Sequence, residues 1–91
     1  MPGQEIAQLL TNHIMTEVAS APPASAPTPD FPIIEAGLVD SLGLFKLIAF
    51  IEEEFQVKIA SEDILFENFA TINAITSLIQ AKLSARVAGG I

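Results

Sequence analysis

The apolar residues of this chain repeat at three- and four-residue intervals, and no run of useful length alternates, which commits the fold to helices. Ile6, Leu10, Ile14 and Val18 recur four apart with Leu9 alongside; Leu44, Leu47, Ile48, Ile51 and Phe55 form a second stripe; Ile72, Ile75, Leu78, Ile79 and Leu83 form a third. Side chains three and four apart share one face of a helix, whereas a half-buried strand needs a period of two. The spacing predicts one helix between Pro2 and the alanine-rich stretch near residue 20, a second from about Ser41 to Gln56, and a last one capped by Thr71. "VKIA" reads as a short extended link. Ser61 followed by Glu62 and Asp63 predicts a short third helix over about 62–67, with the serine as cap and the acids in the first turn.

Between the first two helices lies "SAPPASAPTPDFP", residues 20–32, with five prolines and no helical period. Proline fixes φ and removes a donor, so this stretch is expected to run as an extended, partly polyproline surface loop. Nothing aromatic or basic frames the prolines in the manner of a proline-motif ligand, and the segment reads as a semi-rigid spacer within one domain. At 91 residues the chain has room for a single core, so one domain spans 1–91. The C-terminal segment "SARVAGGI" is expected to fray, with residues 85–91 as tail. The fold class is all-α: a four-helix bundle with a short third helix and a long, Pro-rich first loop.

The charge balance narrows the partners. Net charge is −7, and Lys46, Lys58, Lys82 and Arg86 are the bases, so a nucleic-acid backbone would be repelled. Most acids fall between residues 30 and 67, which suits a basic protein patch as partner. Zero cysteines exclude a disulfide framework, a thiolate metal site and a cysteine nucleophile, so any thiol chemistry must be imported. No segment has the apolar length of a membrane span, and no secretory signal opens the chain, which reads as cytoplasmic. No metal site is expected: His13 has no second histidine or cysteine to work with and is assigned a structural role. Glu52, Glu53 and Glu54 lack the spacing of a calcium loop and read as a solvated helix end.

One tripeptide stands apart. Asp40-Ser41-Leu42 opens the second helix, where a side-chain oxygen ordinarily caps free N–H groups. Gly43, in the first turn, should lower helix stability by about 1 kcal/mol against alanine, and it clears bulk from beside Ser41. A helix N-terminus also favours a phosphate esterified to Ser41, whereas the Asp40 carboxylate suits an incoming enzyme or its metal better than it suits the phosphate. Leu42, Phe45 and Ala49 lie off the core stripe as an apolar strip leading away from Ser41, with Lys46 and Glu53 beside them. Ser41 has no activating base and no nucleophile elbow around it, so the chain is not expected to be an enzyme.

The stretch "GLVDSLGLFKLIAFIEEEFQVKIASED" resembles the heart of an acyl carrier protein: D-S-L at the mouth of the second helix, an apolar helix ending in "EEEF", then V-x-I, then a capped short helix. With the first helix and "ENFATINAITSLI" the resemblance covers nearly the whole chain apart from the proline loop and tail. It implies the four-helix fold of that family. It also implies that Ser41 carries 4'-phosphopantetheine, transferred from coenzyme A by a separate magnesium-dependent phosphopantetheinyl transferase. The arm's thiol would hold an acyl or aminoacyl group as a thioester. Asp40 and Leu42 would flank the attachment point, and Phe45, Ala49 and Glu53 would complete the partner face. Implied partners are an adenylating acyl or aminoacyl ligase or an acyltransferase, and downstream acyl-accepting enzymes, with the carrier a monomer. "EAGLVDSL" places Gly37 one residue earlier than the D-L-G-x-D-S-L of the fatty-acid-synthesis type, and Gly43 and Lys46 stand where that type often has acids. The first feature resembles stand-alone carriers loaded by an adenylating ligase, including D-alanyl carriers, and both point away from fatty-acid synthesis towards a specialised discrete carrier. The alternative is an acidic helical adaptor that binds a protein through Leu42 and Phe45 and carries no prosthetic group.

Overall fold

A computed structural model describes residues 2–19 and 25–89 of the chain, with side chains to residue 85. Helix α1, Gly3–His13, starts behind Pro2, whose carbonyl accepts from the amides of Glu5 and Ile6, each at 3.1 Å. It continues as a π-helical turn, Ile14–Val18, closed by the Ala19 amide donating to the Ile14 carbonyl at 2.9 Å. The wide turn has a geometric consequence. Each four-residue step of an α-helix overshoots a full turn by about 40°, so Ile6, Leu10, Ile14 and Val18 would drift off the core. The i→i−5 turn takes out that drift, and all four are buried.

Helix α2, Ser41–Phe55, buries Leu47, Ile51 and Phe55 and ends on Gln56 in the left-handed region (φ 54°). Helix α4, Ile72–Gly89, buries Ile72, Ile75 and Ile79. Its first turn is capped by Thr71 Oγ1, which accepts from Ala74 N at 3.0 Å, as expected. α1 packs along α4, and the π turn packs on α2. Ile33, Val39, Ile59 and Phe69 close the core from the loops and the short helix.

Two boundaries differ from expectation. No helix covers 62–67; Ser61–Asp63 is a single 3-10 turn, and helix α3, Phe66–Phe69, is one turn further on. The cause is Asp63, whose Oδ2 accepts from Ala60 N at 2.9 Å while its carbonyl takes Leu65 N at 2.9 Å and Asn68 Nδ2 at 2.8 Å. That carbonyl is withdrawn from a helical ladder, and the capping position falls on residue 60 instead of Ser61. The second difference is at the C-terminus: α4 is helical to Gly89, well into the segment 85–91 expected to fray.

The proline loop is tied down where it is described. Asn73 N donates to the Pro29 carbonyl at 3.0 Å and Asn73 Nδ2 to Asp30 Oδ1 at 2.6 Å, so the start of α4 holds the loop's end. The chain then turns tightly: Ala36 N bonds the Pro32 carbonyl at 2.9 Å, Gly37 N the Ile34 carbonyl at 3.0 Å, and Val39 N the Ile33 carbonyl at 3.0 Å. Gly37 closes this turn at φ +80°, a conformation that L side chains rarely adopt. Ile33, fully buried and donating its amide to the Ala70 carbonyl at 3.0 Å, anchors the turn and delivers Asp40 to the mouth of α2. Residues 20–24 of the loop and 90–91 of the tail lie outside the described residues.

Candidate functional site

The cap of α2 belongs to Asp40, which leaves Ser41 without a capping duty. Asp40 is extended (φ −95°, ψ −172°), and its Oδ1 accepts from Gly43 N at 2.7 Å. The Asp40 carbonyl takes the Leu44 amide at 2.8 Å, the first helical bond. Ser41 is therefore the first helical residue, exposed, and its hydroxyl has no hydrogen-bond partner among the described residues. The amides of Ser41 and Leu42 likewise have no acceptor among those residues. Free N–H groups at the positive end of a helix suit an anionic group bonded to this oxygen.

Gly43 is buried, and the bulk it clears is not beside Ser41. A Cβ there would lie 2.9 Å from Val18 Cγ1, 3.2 Å from Asp40 Oδ1 and 3.4 Å from the Val18 carbonyl. The missing side chain lets the end of the π turn meet the first turn of α2. The steric role is real, but it fixes the helix start against α1.

Leu42 and Phe45 are 64% and 69% exposed, and Ala49 and Glu53 are exposed on the same face. At 100° per residue positions 42, 45, 49 and 53 stay within one side of the helix, so the strip read from the sequence is continuous from Ser41 to the acidic end. Beyond it Phe50 is half-buried under His13, the rings stacked with centroids 3.9 Å apart and planes 8° from parallel. His13 thus has the structural role expected of it. Its Nε2 is buried without a partner among the described residues, and burial lowers its pKa against the opposing pull of Glu17. A cavity of about 430 Å³ opens here between His13, Glu17, Lys46, Ala49, Phe50, Glu53 and Glu54.

On the other side of Ser41, a cleft of about 310 Å³ is lined by Ile34, Gly37, Val39, Asp40, Ser41 and Leu44. The sequence reading did not find it, because it depends on the turn at 33–39. Ile64, Leu65 and Phe66, exposed by 41%, 48% and 55%, were also missed as surface apolar residues. The signal was present in an uninterrupted I-L-F between acids, but the expected helix hid it.

Chemically, the arrangement presents an exposed hydroxyl at the positive end of a helix. Ser41 offers an accessible hydroxyl and no base activates it among the described residues, since His13 is taken up by Phe50. No cluster of three or more potential metal ligands occurs among the described residues, and none of their helices is long and apolar enough to cross a membrane.

Comparison with known proteins agrees with this geometry. The sequence profile of the family described as "Phosphopantetheine attachment site" matches residues 12–79. A probable acyl carrier protein, PigG, of Serratia sp. (strain ATCC 39006) is 32% identical over 71 residues, 78% of this chain and 80% of that protein.

Proposed function

This chain belongs to the acyl carrier protein family, and from that premise we propose that Ser41 is the residue to which its 4'-phosphopantetheine is attached. The observation that carries the assignment is the uncommitted, exposed hydroxyl on the first residue of α2, with Asp40 doing the capping. The residues fit the group: the unpaired Ser41 and Leu42 amides would meet the phosphate, and Ser41 Oγ would take the ester bond. A phosphopantetheinyl transferase would join that oxygen to phosphorus as the pyrophosphate of coenzyme A breaks, with adenosine 3',5'-bisphosphate leaving and the hydroxyl proton passing to the transferase. The arm, when bound, supplies a terminal thiol that holds acyl or aminoacyl cargo as a thioester.

The remaining residues serve recognition. Asp40 Oδ1 is engaged by Gly43, and Oδ2 has no partner among the described residues, so the carboxylate is free to meet a transferase or its magnesium. Leu42, Phe45 and Ala49 give partners an apolar contact, and Glu53 adds charge that attracts basic partner surfaces. A loading ligase or acyltransferase and the acyl-accepting enzymes would dock here in turn, the carrier acting as a cytoplasmic monomer. A carrier that serves several enzymes in turn must bind each weakly and leave quickly, which places the tuning of these contacts in their release rates.

Intact mass after incubation with coenzyme A and a broad-specificity transferase tests the assignment. One phosphopantetheine added to the wild type and none to Ser41→Ala is the expected result. Modification of the Ser41→Ala chain would move the site elsewhere, and an unmodified wild type with several transferases would favour an adaptor that works through Leu42 and Phe45 alone.

A further inference from the structure

The cleft beside Ser41 has a neighbour across Gly37. Gly37 also lines a second cavity, of about 590 Å³, walled by Pro27, Thr28, Phe31, Ala36 and Leu38. We propose that residues 25–32 and the 33–39 turn form a surface groove that receives the far end of the phosphopantetheine arm together with an uncharged, apolar acyl group. This rests on the assignment of Ser41.

Four observations support it. The two cavities adjoin at Gly37, and Ser41 lines the nearer one. Its reach suffices: Gly37 is four residues from Ser41 and so at most about 14 Å away, within the span of the arm, whose backbone equals about a five-residue peptide of roughly 17 Å. Its chemistry is selective. In a chain of net charge −7 no charged side chain lines the second cavity among the described residues, and Phe31 stands 37% exposed at its wall. An apolar acyl group would cover that surface, whereas the ammonium of an aminoacyl group would find no carboxylate among the cavity's lining residues.

Finally, the wall is held in place. Asn73 binds both the Pro29 carbonyl and the Asp30 carboxylate, and Phe31 N bonds the Thr28 carbonyl at 3.0 Å. An added Cβ at Gly37 would meet nothing within 4 Å, so no side chain crowds the backbone where the two cavities adjoin. The cavity volume is in the range of about 300–1,000 Å³ usual for small-molecule clefts. The proline loop is on this reading a binding wall in addition to a connector.

The test uses the full chain, labelled with ¹⁵N and converted with hexanoyl-, alanyl- or unacylated pantetheine analogues, each load verified by mass. Hexanoyl loading is expected to shift the amide resonances of Phe31, Ala36, Gly37 and Leu38 relative to the unacylated form, with contacts between the acyl protons and the Phe31 ring. Alanyl loading should leave them in place. Ala36→Phe, an exposed position that fills the groove, should abolish the hexanoyl shifts while the spectrum stays dispersed. Shifts confined to Ser41 and Leu42, or moved to Leu47, Ile51 and Phe69 in the bundle interior, would overturn the groove. Failure to gain the mass at Ser41 would instead sink the assignment of Ser41, and the groove with it.

Discussion

Gly43 stands so close to Val18 that a methyl group on its α-carbon would come within 2.9 Å of Val18 Cγ1. The β-branched side chain of Val18 is stiff and buried, and its carbonyl and Asp40 Oδ1 close the remaining sides. Gly43→Ala gains about 1 kcal/mol of helix propensity and loses about 1–3 kcal/mol to overpacking, so a net destabilisation of about 1 kcal/mol is expected. The same change should be milder in a Val18→Ala background, since the two positions share one contact. Urea unfolding midpoints of the four proteins in this cycle measure it. A stabilised single variant would show that Gly43 is not there for Val18.

Asp40 carries two separable roles, the cap of α2 and the proposed contact with the transferase. Asp40→Ala removes both and should lower stability by about 1 kcal/mol. Asp40→Asn keeps the accepting oxygen and so keeps the cap, but it removes the charge. Its melting temperature should stay near that of the wild type, while its rate of modification falls by roughly tenfold, as expected for loss of a charged contact. Thermal melts paired with mass-resolved modification time courses separate the two roles. Equal modification rates for Asp40→Asn and wild type would leave Asp40 with the cap alone.

Leu42 and Phe45 are more than half exposed and add little to the core, so their truncation separates folding from partner contact in the same way. Leu42→Ala and Phe45→Ala should each change stability by no more than about 0.5 kcal/mol. Binding to a partner enzyme, read by titration calorimetry with a catalytically blocked transferase, should weaken by about 1–2 kcal/mol for Phe45→Ala, the larger and more central aromatic. A large loss of stability would place these side chains in the core instead.

The helices and the site were legible where a single periodic pattern decided them. The stripe through Leu47, Ile51 and Phe55 gave α2, and the residues left outside that stripe gave Leu42, Phe45 and Ala49 as an exposed face. What the sequence hid depends on long-range bonds. The third helix was displaced because Asp63 turns its carboxylate back to the Ala60 amide and its carbonyl to Leu65 N and Asn68 Nδ2, and Lys82, which also bonds that carboxylate, lies nineteen residues ahead where no local pattern announces it. The role of Gly43 needed Val18, which approaches from the other side of the proline loop. The groove needed Asn73 to fix that loop, a pairing forty-three residues apart. Local rules found what one element shows to solvent or to the core, and tertiary contacts settled the rest.

His13 offers the last prediction, because its stack on Phe50 joins the end of α1 to the flank of the exposed strip of Leu42, Phe45 and Ala49. Burial lowers the imidazole pKa, and Glu17 pulls the other way; Glu53, Glu54 and Lys46 share the cavity around it. A folded pKa below the ordinary value of about 6.5 means that the unfolded chain binds the proton more readily. The stabilising contribution is therefore complete above about pH 6.5 and declines as pH falls from there through the lowered folded value. Asp63, held low by its hydrogen bonds from Lys82 and Ala60, acts in a different window: its contribution persists down to the ordinary carboxylate range near pH 4 and is lost as pH drops through its own lowered value. His13→Phe keeps an aromatic ring against Phe50 and removes the titration. Urea midpoints followed from pH 8 to pH 5 should fall for the wild type and fall less for His13→Phe, with Asp63 silent across that range. Parallel curves for the two proteins would mean that the imidazole titrates as freely when folded as when unfolded, and that the stack does not exclude its charged form.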